Sequence, residues 1–174
     1  MTLHNENLIN TDDLFIPGLV QQVFNKYKRI NGITLTPAER LQLFTDLNAL
    51  LGEVLLKRAL YLLDQWNFIT YYTADRFRSI VELSSNRNSA HVVRVVPGVN
   101  YCKCRYFQRF VLQLKDTGEK DEDEHELDGG SNQVSFTCEH VLAQCLNQLL
   151  SPEPRTQILT LDQFRYLHND IYED

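Results

Sequence analysis

Cys102-Lys103-Cys104 and Cys138-Glu139-His140, two short runs on either side of an acid-rich interval, decide how this 174-residue chain is read. Each run carries two metal-ligating side chains two residues apart. In a helix such a pair points about 200° apart around the axis, whereas in an extended segment the two side chains share a face. The spacing therefore predicts that Cys102 and Cys104 chelate from the end of a strand, and Cys138 and His140 from the turn that starts a helix. Three thiolates and an imidazole in tetrahedral array suit zinc, and four protein ligands leave no position for water, so one structural Zn2+ is expected. A helix opening at Glu139 would favour the thiolate of Cys138 through its positive end. Buried cysteine is common as a small apolar side chain, but two short-spaced pairs point to metal. Cys145, one turn after Val141 on an apolar helix face, is expected in the core and off the metal.

Outward from these runs, the composition fits one globular domain large enough to bury its own core. Four cysteines in a chain of this length do not form a disulfide framework. Residues 5–13 are polar where a secretory leader would be apolar, so a reducing compartment is expected. The most apolar run, residues 54–63, is broken by Lys57 and Arg58, and no membrane association is expected.

The fold class read from the pattern is α+β: N-terminal helices, a small antiparallel β-meander, the zinc finger and C-terminal helices. Val20, Val23, Phe24, Tyr27 and Ile30 recur at helical spacing before Asn31-Gly32. Thr36-Pro37-Ala38-Glu39 is a helix start with a capping box. The stripe after it runs to Asp64, with Gly52 as a kink. Residues 54–63 are apolar nearly all round, which reads as a core helix or as a face covered by a partner subunit. Residues 68–73, 78–83 and 91–96 form the meander, with Ile80 facing away from Val81. A short helix over 105–114, a short strand over 134–136 and a helix over 139–150 come next. Thr160-Leu161-Asp162-Gln163 caps a terminal helix. Three regions result: a helical region at 1–66, the zinc-binding unit at 67–150 with an acidic insertion at 116–130, and a C-terminal helix within 151–174.

The net charge of −6 hides two opposed blocks. Residues 76–115 carry +7 and residues 116–130 carry −7, so the insertion could screen the basic segment. Within that segment Arg76, Arg78, Arg94, Lys103, Arg105 and Arg109 are candidates for contact with nucleic-acid phosphates. Tyr71, Tyr72, Tyr101 and Tyr106 are aromatic neighbours able to stack on bases. The other reading of these charges is a solvated face, or partners for the acidic insertion. No nucleophile elbow, phosphate loop or acid/base pair is present, so a non-enzymatic role is expected.

Cys-x-Cys, a variable interval and Cys-x-His together resemble the SWIM zinc finger. The runs Cys102-Lys-Cys-Arg-Tyr-Phe-Gln-Arg-Phe-Val-Leu and Cys138-Glu-His-Val-Leu-Ala are similar to those of the SWIM-type subunit of the Shu complex, over roughly residues 36–150. The acidic insertion departs from that pattern in loop length. The resemblance implies Cys102, Cys104, Cys138 and His140 as zinc ligands, with Ala143 and Phe107 packed beside them. It implies a nuclear protein, with the cytoplasm as a second location, that pairs with RecA-like recombinase paralogue subunits. Such a subunit promotes recombinase filament assembly in homologous recombination and error-free DNA repair, touching single-stranded DNA directly or through its partners. The alternative is a directly nucleic-acid-binding SWIM module of a transposase-like or chromatin-associated protein.

Overall fold

The computed structural model describes residues 15–28, 34–87, 91–114 and 135–173. The acidic insertion, the Asn31-Gly32 stop and Val134 lie outside them. Helix α1 (Ile16–Tyr27) buries Val20 and Tyr27, with Val23 and Phe24 packed beside them, which is the expected stripe. Helix α2 (Pro37–Leu51) starts at the full capping box: the Glu39 N–H donates to Thr36 Oγ1 at 3.3 Å, and the Thr36 N–H to Glu39 Oε2 at 2.9 Å. Gly52 is a break and not a kink. At φ 82° it takes a backbone conformation that glycine adopts without steric cost, ending α2 and starting α3 (Glu53–Gln65). One side of α3 is core, through Leu55, Leu56, Ala59 and Leu62, while Val54 and Tyr61 on the other are exposed.

The three expected strands form as β1 (Trp66–Thr73), β2 (Ser79–Ser85) and β3 (Val92–Val95), paired antiparallel in sequence order. The sheet is nevertheless mixed. A fourth strand, β4 (Arg155–Leu159), runs parallel to β1 in the order β3-β2-β1-β4. The region after residue 150 is therefore a strand plus helix α5 (Leu161–Tyr172), whose capping box at Thr160 and Gln163 is complete. Ser135 and Phe136 do not form a strand: the Ser135 N–H donates to the Phe110 carbonyl at 3.0 Å, and Asn100 Nδ2 to the Phe136 carbonyl at 2.8 Å.

Alternation along β2 explains why two apolar residues stand in a row. Val81 and Leu83 face one side, where Phe68, Val95 and residues of α2, α3 and α4 (Glu139–Leu150) form the larger core. Ile80 faces the other side and meets Leu159, Phe164 and Ile171 in a smaller cluster under α5. Covering both faces is what makes the strand read as only partly amphipathic. Tyr101, just before the first cysteine pair, packs against both clusters.

Candidate metal centre

The two half-sites come from different elements. The expectation that Cys102 and Cys104 sit at the end of a strand is not met: β3 ends at Val95, and after a turn at Pro97-Gly98 both cysteines lie in an irregular segment, Cys104 at a bend. Cys102 is fully buried, whereas Lys103 is exposed and donates from Nζ to the Glu173 carbonyl at the end of α5. Tyr101 stacks on Tyr172 of α5 with ring centroids 5.2 Å apart. The chain then turns, and the backbone N–H groups of Cys104 and Phe107 donate to the sulfurs of Cys102 and Cys104, each at 3.4 Å. Such N–H···S contacts favour thiolates. In place of the ordinary short helix expected over 105–114 the chain winds into a π-helical turn, Phe107–Val111, closed by the Leu112 N–H to the Phe107 carbonyl at 3.0 Å. The Phe107 side chain is buried, edge-on to Tyr101.

The second half-site is the start of α4. Cys138 is the N-cap residue and His140 lies in the first turn, both buried. Ala143 is fully buried behind them. One ligand atom from each of Cys102, Cys104, Cys138 and His140 lies within 4.8 Å of all the others. A tetrahedral ion at about 2.0–2.3 Å from its ligands needs edges of roughly 3.5–3.8 Å, so small side-chain rotations close the site. His140 Nδ1 is buried without a hydrogen-bond partner, and Glu139 Oε1 stands 4.0 Å from it, beyond hydrogen-bond reach. A donor set of three thiols and an imidazole with an unsatisfied buried nitrogen fits one zinc-like ion.

Among protein groups alone the three thiols share their protons unequally. Hydrogen bonds from Cys102 and Cys138, and then His140, draw Cys104 far below the ordinary thiol range. Cys102 is pushed up to about 12, first by its hydrogen bond with Cys104. Burial, followed by the neighbouring thiols, pushes Cys138 up as well. Cys145 lies outside the cluster, half-buried, and burial alone raises its thiol to about 11.

Trp66 also belongs to this site, although neither its spacing nor its neighbours in the chain mark it. At the start of β1, its ring packs against His140 with centroids 5.8 Å apart and against His91 at 5.0 Å. Of the six basic candidates, Arg94, Lys103 and Arg105 line one cleft, and Arg76, Arg78 and Arg109 do not. Arg94 is held by Glu82 at 2.8 Å and Asp170 at 2.5 Å. Lys103 and Arg105 stand beside the metal cluster, lining a cleft of about 290 Å3 with His91 and His140. Arg109 lies over the Phe110 ring at 5.4 Å. Arg76 and Arg78 sit in the turn after Thr73, at the far end of β1 from Trp66, a strand length of about 23 Å at about 3.3 Å per residue. Comparison with protein-family models, curated proteins and solved structures finds no significant match to this chain.

Proposed function

We propose that this chain is a non-catalytic zinc-binding subunit, with a SWIM-type finger, of a Shu-type complex that promotes recombinase filament assembly in homologous recombination and error-free DNA repair. The observation that carries it is the four-ligand Cys102, Cys104, Cys138 and His140 cluster, assembled from the irregular segment after β3 and the start of α4. With four protein ligands the ion has no open position for a reacting water, which favours a structural over a catalytic role. The ion would tie the segment after β3 to α4, and α4 packs against α3 in the core. Metal binding is then part of the folding free energy of the surface offered to RecA-like partner subunits. The exposed Val54 and Tyr61 of α3 lie on that helical layer.

Zinc content of the purified protein tests the site, alone and with Cys102→Ser, Cys104→Ser, Cys138→Ser, His140→Ala or Cys145→Ser. One ion per chain, lost with each of the first four and kept with the fifth, is expected. A folded protein that takes up no zinc overturns the reading. Co-expression with RecA-like paralogue subunits tests the assembly: a stable complex that fails with Cys138→Ser supports it, and no complex with any such subunit refutes it.

A further inference from the structure

The turn between β1 and β2 has features that the metal centre does not account for. Phe77 at its tip is 89% exposed, the most exposed of the large apolar side chains among the described residues. A phenyl ring left in water forgoes the burial that such side chains otherwise gain. Exposed arginines, Arg76 and Arg78, flank it on both sides. The turn is well held. The Arg76 N–H donates to the Thr73 carbonyl at 2.8 Å and the Thr73 N–H to the Arg78 carbonyl at 3.1 Å. Asp75 Oδ1 accepts from Thr73 Oγ1 at 2.5 Å and from the Phe77 N–H at 3.1 Å. The single carboxylate of the turn is therefore engaged first by the Thr73 hydroxyl and the Phe77 N–H, with a smaller attraction to Arg78.

Arg76 adopts φ 60°, the left-handed region that non-glycine residues seldom occupy. Backbone held in such a conformation by its surroundings is concentrated at functional sites. Three of the four tyrosines that the sequence offered for stacking are engaged within the fold. Tyr71 donates to Glu82, Tyr101 stacks on Tyr172, and Tyr106 packs on Phe110. Phe77 has its ring in solvent.

We propose that this turn is a base-stacking finger for single-stranded nucleic acid, with Phe77 stacked on an unpaired base and Arg76 and Arg78 against the flanking phosphates. Every base offers a π-face, so such a contact tolerates sequence. It requires bases out of a duplex, and it draws charge complementarity from the arginines. The finger goes beyond the metal-centred reading and does not rest on it, since it stands at the opposite end of β1 from His140 and Trp66.

The test is fluorescence anisotropy of the full chain with labelled oligothymidine, oligouridine and a duplex of equal length, across a salt series. Binding to either or both single strands, tighter than to the duplex, is expected. Phe77→Ala should weaken it about tenfold, and Phe77→Trp should restore it. Arg76→Gln with Arg78→Gln should weaken it and flatten the log–log salt slope by about 1.4. Because these side chains are exposed, the variants keep the fold, checked by zinc content and circular dichroism. No binding by the intact chain, or affinity unchanged by Phe77→Ala, overturns the finger and leaves the metal reading standing. If Phe77→Ala breaks capture of a protein subunit while oligonucleotide affinity is unchanged, the turn is a protein anchor and the proposal fails.

Discussion

On one face of the sheet Phe68, Val81, Leu83 and Val95 lie under α2, α3 and α4 and beside the candidate metal ligands, whereas on the other Ile80 and Leu159 meet Phe164 and Ile171 of the single helix α5, with Tyr71, Val96 and Tyr101 at the margin. The first face is a large apolar core whose ligands are continuous with its packing: Cys102, Cys138, Phe107 and Ala143 belong to the same buried cluster. The second has few buried apolar residues and is fastened by polar contacts. Tyr71 and Arg94 converge on Glu82, Arg94 reaches on to Asp170 of α5, and Lys103 holds the Glu173 carbonyl. Burying four side chains does little against the entropy of ordering a whole helix. Ion pairs and a capping box supply what area does not. The segment that carries Cys102 and Cys104 joins the two systems, because Tyr101 and Lys103 contact α5 while the two cysteines belong to the four-residue cluster.

If the four-residue cluster holds the proposed zinc, the largest effect should come from removing it. Chelation, or Cys138→Ser, should loosen the first face and, through Tyr101 and Lys103, release the end of α5. Binding at a free ion concentration a thousandfold above the dissociation constant stabilises by about 4 kcal/mol. For a chain of this size that is a melting shift of about 8–16 °C. A melting temperature unmoved by chelation would separate the ligands from the core and break the comparison. Core truncations come next. Leu146→Ala, in the fully buried layer of α4, and Phe164→Ala, on α5, should each cost about 2–5 kcal/mol by cavity formation. They should differ in kind: Leu146→Ala lowers protection from hydrogen exchange throughout the sheet, while Phe164→Ala lowers it mainly in α5 and β4. Equal loss in both would make the two faces one cooperative unit.

Arg94→Gln probes the polar fastening at smaller cost. Burial works against the Arg94 charge, but the hydrogen bonds and attraction of Glu82 and then Asp170 outweigh it and raise its pKa. Its side chain and that of Glu82 are only 21% and 16% exposed. Removing a charged hydrogen-bond partner there should cost about 1–3 kcal/mol in urea denaturation, with exchange accelerated in α5 first. No change in α5 protection would show that the apolar cluster alone holds the helix.

These differences also explain what could be read in the sequence. The four ligands and the two capping boxes were legible because each depends on residues within three positions of one another: Cys102 with Cys104, Cys138 with His140, Thr36 with Glu39, Thr160 with Gln163. Strand β4 was not. Four of its five residues are exposed, so no alternation marks it, and its pairing with β1 joins Ile69 to Arg155, half the chain away. The fate of Arg94 depends on Asp170 in a different element, and a charge pattern says nothing of such a partner. Gly52 announced a disturbance, but whether a glycine bends or breaks a helix is decided by the backbone angle that packing selects. The helix over residues 54–63 read as apolar all round because composition cannot say that Val54 and Tyr61 face away from the core.

A second ion pair, on the first face, shows how depth sets what such a contact contributes. Asp46 of α2 accepts from Lys26 at 2.9 Å and Tyr27 at 3.0 Å, both at the end of α1, and from Gln42 at 2.8 Å. The Lys26 hydrogen bond, then that of Gln42, holds the Asp46 carboxyl below the ordinary carboxylate value of 3.8. A depressed carboxyl contributes stability that is present above its unfolded value and lost as pH falls through the lower folded one. Asp46→Asn should therefore destabilise at neutral pH and converge on the unsubstituted protein in acid. The Lys26 side chain is 57% exposed, however, so solvent and salt screen the pair. The neutral-pH loss should be less than half that of Arg94→Gln and should shrink further at high salt. Denaturation of both variants at neutral and acid pH, with and without added salt, measures this. If Asp46→Asn costs as much as Arg94→Gln, apolar area is not what fixes α1 and α2 on the first face, and the contrast between the two faces fails.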